Sequence, residues 1–282
     1  MASPKRIDLF LKTTMNNLKI TSLLLLVATL VSARTWATEE ALIIRVATYN
    51  VEFGKSTTPE EVGEMLKSYQ PDIVGFNEVP DGDWTSRVGK VLGMNHSHVG
   101  KVSSANHRNK FKSILSRTPL RDPEEFVLKG RGWNPATAVK AMTTIKGVDF
   151  AFYSLHICTS GKTDGQAYHL ATGVLPKEKS KRIIVVGDFN NKVGDEAMMS
   201  VRAVGMNSTW VDLGIDLTHK FTWDAFDKKG KAGVIDHILY NQSSGGKATK
   251  GGIIELEKPL SDHKPVWAEI SFPKKLPSAA KK

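Results

Sequence analysis

Cysteine is almost absent from this sequence. Cys158 stands alone among 282 residues, so no intrachain disulfide can form. Without a cysteine cluster, structural zinc is disfavoured as well. The thiol has no visible base partner in the chain, so it reads as a small buried apolar group rather than a nucleophile. Long apolar runs are scarce too. The one present, residues 20–31 (ITSLLLLVATLV), falls short of the roughly 20 residues that a membrane-spanning helix needs. No internal repeat recurs. What is there is ordinary for a globular protein: 40% hydrophobic and 24% charged residues, in a length that suits one large domain or two small ones.

The N-terminus reads as a separate object. Lys5, Arg6, Lys12 and Lys19 precede the apolar run, and small residues at Ala33 and Ala37 follow it. A basic stretch, a short apolar stretch and a small-residue cleavage site predict a secretory signal over residues 1–37, and hence a secreted or periplasmic protein. Cleavage after Ala33 and after Ala37 both fit, Met15 is an alternative start, and an uncleaved anchor is the competing reading. After cleavage no membrane span is expected. The formal charge is +10; residues 1–37 hold five basic and one acidic side chain, which leaves 34 basic and 28 acidic, or +6. That excess suits a polyanionic partner and equally suits plain solubility. The last ten residues, 273–282 (PKKLPSAAKK), are predicted to be a disordered basic tail.

Between these ends, short apolar runs alternate with amphipathic stretches. Strands are predicted at 42–51, 72–79, 111–120, 137–145, 148–157, 182–189, 234–240 and 264–272, and helices at 58–70, 82–93, 164–175 and 195–205. In the first helix Thr57 or Thr58 can cap, Pro59 suits the first turn, and Glu60 and Glu61 oppose the dipole. Val62, Met65, Leu66 and Tyr69 form its apolar stripe; Ala167, Leu170, Ala171 and Val174 do the same in the third. The Gly/Ser/Lys-rich stretch 241–252 reads as a flexible loop. Many strands and few helices predict two packed sheets with helices outside, in one domain over 42–272.

Polar residues cluster at the ends of these apolar runs. Asn50 closes the first strand and Glu78 the second, and His156 lies in SLHI. In VVGDFNN, Asp188 and Asn190 bracket Phe189; strand alternation puts the two polar residues on one side. Asp262 and His263 precede the last strand. Asp236 sits between Ile235 and Ile238, where a carboxylate is costly unless paired or bound to a metal. Any one of these also reads as a turn, a solvated edge or a satisfied core group. Together they make four carboxylates, two amides and two imidazoles. Oxygen ligands with few histidines suit a hard cation, Mg2+ or Mn2+ or Ca2+, which can polarise a phosphate oxygen.

The ordered set TYNV (48–51), FNEV (76–79), SILSRTPL (113–120), SLHI (154–157), GDFN (187–190), IDHIL (235–239) and SDHKP (261–265) resembles the endonuclease/exonuclease/phosphatase family, with its deoxyribonuclease I-like fold. The resemblance implies an α/β fold, a four-layer α/β/β/α sandwich of two mixed β-sheets flanked by helices, with the active site at one edge of the sheets. It implies that Asn50, Glu78 and Asp262 surround the metal, that Asp188 and Asn190 orient water and hold the phosphate, and that His263, braced by Asp236, contacts the scissile group. His156 would be the second histidine of the deoxyribonuclease-like and lipid-phosphodiesterase branches, which speaks against a repair role. The family's glutamate motif usually carries Gln before Glu; here Asn77 stands there.

The expected function is a secreted, metal-dependent phosphodiesterase acting on nucleic acid, DNA or RNA, as a monomer. His107, Arg108, Lys110 and Lys112, with Trp133 beside Lys129 and Arg131, are candidate substrate-binding residues; a solvated charged loop is the bland alternative. A sphingomyelinase-like or inositol-phosphate hydrolase keeps the chemistry and changes the substrate, although no aromatic hairpin for membranes is evident. A non-catalytic binding or toxin-type subunit is the third reading, and the intact polar set speaks against it.

Overall fold

The computed structural model describes residues 41–227 and 233–277. The predicted signal segment and the last five residues of the tail lie outside that range.

The first half of the chain runs β1 (Leu42–Asn50), α1 (Pro59–Lys67), β2 (Ile73–Val79), α2 (Trp84–Leu92), β3 (His96–Val99), β4 (Phe111–Ser116). The second runs β5 (Leu120–Val127), β6 (Thr137–Ile145), β7 (Val148–His156), α3 (Gln166–His169), β8 (Ile183–Asp188), α4 (Glu196–Ala203), β9 (Met206–Ser208), α5 (Thr209–Asp212), β10 (Asp236–Asn241), β11 (Lys247–Ile253), β12 (Val266–Phe272). Helix α1 starts as its residues dictate: the Thr58 hydroxyl accepts from Glu61 N–H while the Glu61 carboxylate accepts from Thr58 N–H. Helix α3 passes into a π-turn over Leu170–Val174 and closes as a 3-10 turn at Leu175–Lys177.

Two six-stranded sheets result. One has the order β11-β12-β1-β2-β4-β3, the other β5-β6-β7-β8-β10-β9. Each contains one parallel pair, β1 with β2 and β7 with β8; the remaining pairings are antiparallel. Strand alternation then sorts the side chains. Ile44, Val46, Phe150, Phe152, Ile184, Val186 and Ile238 face the opposite sheet. Tyr153, Val185, Leu170 and Val201 pack the second sheet onto α3 and α4. Val74, Phe76, Leu66 and Val88 pack the first onto α1 and α2. Burying such a side chain contributes about 1.5–3 kcal/mol. Three apolar layers between four structural layers are the predicted α/β/β/α sandwich.

Some expectations are corrected. The run 111–120 is two strands, because Arg117–Pro119 turn the chain from one sheet into the other. The stretch 241–252 is not a loop: Lys247–Ile253 is an edge strand paired with β12, with a register shift between Ala248 and Lys250 and with Gly251 and Gly252 in register opposite Ala268 and Trp267. The tail is held where it begins, since Arg182 donates to the carbonyls of Pro273 and Lys274.

Candidate active site

The strand register assembles the site. In the second sheet His156 pairs with Asp188 and Asp188 with Asp236, so three polar side chains from β7, β8 and β10 form one row at the sheet's end. Each continues the parity of the inward-facing residues: Phe150 and Phe152 before His156, Ile184 and Val186 before Asp188. The facing row in the first sheet is Asn50 beside Asn77. Gly75 lets the two rows approach: a Cβ there would lie 2.3 Å from Val186 Cγ2. Asn77 spans the gap. Its amide donates to Leu155 O (2.7 Å) and its oxygen accepts from Asp188 N–H (3.0 Å).

Asp188 is the hub. Its Oδ2 accepts from Asn50 Nδ2 at 3.0 Å and lies 3.4 Å from His156 Nε2 and 3.6 Å from His263 Nε2. Its Oδ1 accepts from the Asn190 N–H at 2.9 Å. Asn190 has left the strand with a left-handed φ of 49°, so it reaches Asp188 by a turn rather than by alternation; its amide donates to Ile157 O. Burial, reinforced by the charge of Asp236 and opposed by that of His263, pushes the Asp188 carboxyl up to about 7.

His263 donates from Nδ1 to Asp236 Oδ2 at 2.9 Å. Burial disfavours its charge, but the Asp236 and Asp188 carboxylates outweigh burial and raise the imidazole to about 10. His156 behaves oppositely. Burial first, then the charges of Lys112, His263 and Lys110, hold it well below its ordinary value. Its Nδ1 lies 3.3 Å from Ser104 Oγ, and Trp133 packs edge-on against its ring at 4.8 Å. His237, though next to Asp236, points to the other face and donates to Asn191 O.

Glu78 arrives by a distortion. Parity would send it toward the helices with Val74 and Phe76. The β2–β4 register shifts after Phe76, and Glu78 takes a φ of 51°, which re-aims the side chain. Its Oε1 lies 3.7 Å from His156 Nδ1, and its Oε2 pairs with Lys110 Nζ at 2.8 Å. Asp262 stays half-buried beside His263, its Oδ1 accepting from the Ser261 hydroxyl.

The donor set suits a hard divalent cation. Two buried carboxylate oxygens, Asp236 Oδ1 and Glu52 Oε2, accept no hydrogen bond among the described residues. Asp188, Asp236 and His263 bring ligand atoms within 4.8 Å of one another. Within that triad the Asp236 Oδ2–His263 Nδ1 bond commits two of the candidate atoms, so the oxygens of Glu78, Glu52, Asn50 and Asp262 are the better ligands for an ion.

Of the sequence candidates, His156, Asp188, Asn190, Asp236, His263, Asn50 and Glu78 meet at one place, with Lys110 and Trp133 against them. Arg108 is exposed on the adjoining loop. Lys112 is a correction: it is fully buried, and its ammonium donates to Val102 O and Ser104 Oγ, so it offers nothing to a substrate surface. Cys158 is half-buried rather than buried. Asn77, Ser104 and Glu52 were missed as site residues. Their signals were weak: a hydroxyl in a polar loop, and two side chains adjoining better candidates in FNEV and TYNVEF.

A two-sheet α/β sandwich with carboxylates, amides and two imidazoles converging at one sheet edge is the scaffold of a phosphoester hydrolase. The chain belongs to the endonuclease/exonuclease/phosphatase family, whose model matches residues 47–263. It is 24% identical over 268 residues to exodeoxyribonuclease III of Haemophilus influenzae, covering 80% of this chain and all (100%) of that one. Among solved structures it is similar to a mannosyl-6-phosphatase from Bacteroides thetaiotaomicron, with a TM-score of 0.65 and 19% identity over 81% of this chain and 100% of that one. It is also similar to D. rerio TDP2 complexed with a single-strand DNA product, with a TM-score of 0.63 and 17% identity over 81% and 98% of the two chains. Among the described residues no helix is long and apolar enough to cross a membrane.

Proposed function

We propose that this protein is an exported, divalent-metal-dependent phosphodiesterase that hydrolyses nucleic acid. The observation that carries the reading is the single row His156–Asp188–Asp236, facing Asn50 across the sheet gap and completed by His263. Glu78, with Glu52, Asn50 and Asp262, would hold Mg2+ or Mn2+. Such an ion supplies charge to polarise the phosphate and lowers the proton affinity of bound water.

The chain's own groups divide the remaining work. Asp188, raised toward neutrality, suits acceptance of a proton from water. Asn50 and Asn190 hold its two oxygens in place. His263 stays charged against Asp236, and its Nε2, 3.6 Å from Asp188 Oδ2, would turn its hydrogen to a phosphate oxygen. His156 remains neutral. The half-buried Trp133 would offer an aromatic surface to a base, and the exposed Arg108 would offer charge to a phosphate backbone. The similarity to an exodeoxyribonuclease and to a structure holding single-strand DNA supports nucleic acid over other phosphoesters. The basic, apolar, small-residue order of residues 1–37 supports export.

The test is direct. The purified protein is incubated with plasmid, single-stranded oligonucleotide, sphingomyelin, inositol phosphates and a sugar phosphate, with Mg2+ or with chelator. Cleavage of DNA or RNA that chelator abolishes is expected. Turnover confined to a lipid or to a phosphomonoester would replace the substrate assignment. Mass spectrometry of exported protein, expected to begin near Arg34 or Thr38, tests the signal.

A further inference from the structure

We infer that Gln166 is a positioning residue: it latches the loop 129–135 onto the strand end that carries His156, and so holds Trp133 and Arg131 as a ready-made wall of the substrate cleft. What this wall meets rests on the nucleic-acid reading above; the latch itself does not.

The chemistry of an amide decides the latch. Gln166 is the first residue of α3 and is fully buried. Its Oε1 accepts from the Cys158 N–H at 2.7 Å, and its Nε2 donates to Trp133 O at 2.7 Å. One partner is a donor and the other an acceptor, so only a side chain that offers both can join them. That demand also fixes which end of the amide is which. Cys158 lies two residues beyond His156 in the chain, and Trp133 packs its ring edge-on against His156. The latch therefore ties the backbone next to one member of the site to the backbone of the side chain that covers it. Without it, Trp133 O and the Cys158 N–H are left without partners in the interior, and water is where they find new ones. The loop moves with them.

The rest of the loop is built to be held. The Leu128 N–H donates to Ala136 O at 2.8 Å and closes its base. The Arg131 N–H donates to Asp164 O at 2.7 Å, and the Ala105 N–H to Pro135 O at 2.9 Å. Inside the loop the Asn134 amide donates to Gly130 O and Gly132 O. Gly132 has a φ of 102°, and a Cβ there would lie 2.4 Å from Cys158 Sγ. The loop thus lies directly on the thiol, and only glycine permits it. These bonds fix the ends and the turn, and Gln166 is the side chain that fixes Trp133. Arg131 stays exposed, so the wall presents a cation beside an aromatic surface. That pairing suits a phosphate and its adjoining base in a single strand.

Cys158 is the sole cysteine, so its thiol reports whether the loop is closed. In the full-length protein, Gln166→Met should make Cys158 react several-fold faster with Ellman's reagent, because Gly132 lifts from the sulfur. KM for a single-stranded oligonucleotide should rise about tenfold, the worth of one base stack, while kcat falls by less than about threefold. In a Trp133→Ala background the same substitution should raise KM little further. Amide exchange in the wild type tests the latch without any variant: the N–H groups of Leu128, Arg131 and Cys158 should all exchange slowly. An unchanged thiol rate in folded Gln166→Met, independent losses in the double variant, or free exchange at those amides would overturn the inference. A fall in kcat with KM unchanged would do the same, since Gln166 would then serve the strand end alone. If the wild type hydrolyses no oligonucleotide, the nucleic-acid reading falls, while the thiol rate and the exchange still decide the latch.

Discussion

Asn77→Ala tests whether one amide joins the two sheets at the site. The side chain is fully buried and bridges Leu155 O and Asp188 N–H. A third contact, to Ser154 Oγ at 3.3 Å, matters less, because that hydroxyl also donates to Phe76 O. Alanine leaves one buried carbonyl and one buried N–H without partners, each costing about 1–3 kcal/mol. The sum, about 4 kcal/mol, corresponds to roughly 8–16 °C in Tm for a domain of this size. The Asp188 backbone also loses its anchor, so kcat should fall more than about tenfold where the variant is still folded, since displaced catalytic groups lose rate steeply. Urea unfolding followed by fluorescence and circular dichroism gives the stability, and turnover in the cold, at about 15 °C, gives the rate. A stability loss under about 1 kcal/mol with unchanged kcat would refute the reasoning.

Glu78→Gln should weaken Mg2+ binding by about tenfold or more, read by calorimetry, with the fold retained. Asp188→Asn and His263→Ala should each cost orders of magnitude in kcat, and the double variant little more, because their side chains meet at 3.6 Å around one step; multiplicative losses would contradict this. Lys112 titrates near 8 in the fold against about 10.4 unfolded, so its burial penalty is complete below pH 8 and is relieved as pH rises toward 10.4. Wild type should therefore gain about 3 kcal/mol relative to Lys112→Met between pH 7 and 10.5, measured by paired urea titrations. Changing Arg108 and Lys110 to Ala should flatten the slope of log affinity against log salt for duplex DNA by about 0.9 for each phosphate no longer neutralised.

The strands and most of the site were legible because both rest on period-two alternation. Apolar runs announced the strands, and a polar residue closing such a run announced the site. Three kinds of feature escaped. Edge strands did, because β3, β9 and β11 carry His, Ser, Asn, Lys and Gly where a buried strand would carry Val or Ile. Lys112 was misread because charge is taken as exposure, and only the fold shows that Val102 O and Ser104 Oγ close around its ammonium. Asn77 registered as a departure from the family's Gln. Only the fold shows its part, a bridge from the first sheet to Leu155 O and Asp188 N–H in the second.

Glu78 shows where alternation itself breaks, and why that break is useful. In a regular β2, Asn77 and Glu78 point to opposite faces, so the strand could supply the inter-sheet amide or the metal carboxylate to the cleft, not both. A register shift and one left-handed residue put both there. A non-glycine residue at positive φ costs of order 1–3 kcal/mol, and such a cost persists only where the surroundings hold it. Here Lys110 and Asn77 hold it, one through the Glu78 carboxylate and one through the facing strand. Glu78→Gly relieves the backbone and removes the ligand, whereas Glu78→Asn keeps a side chain that tolerates the left-handed region. Both should bind Mg2+ poorly, yet Glu78→Gly should match or exceed the stability of Glu78→Asn. If Glu78→Asn proves clearly the more stable in urea, the strain does not reside at residue 78.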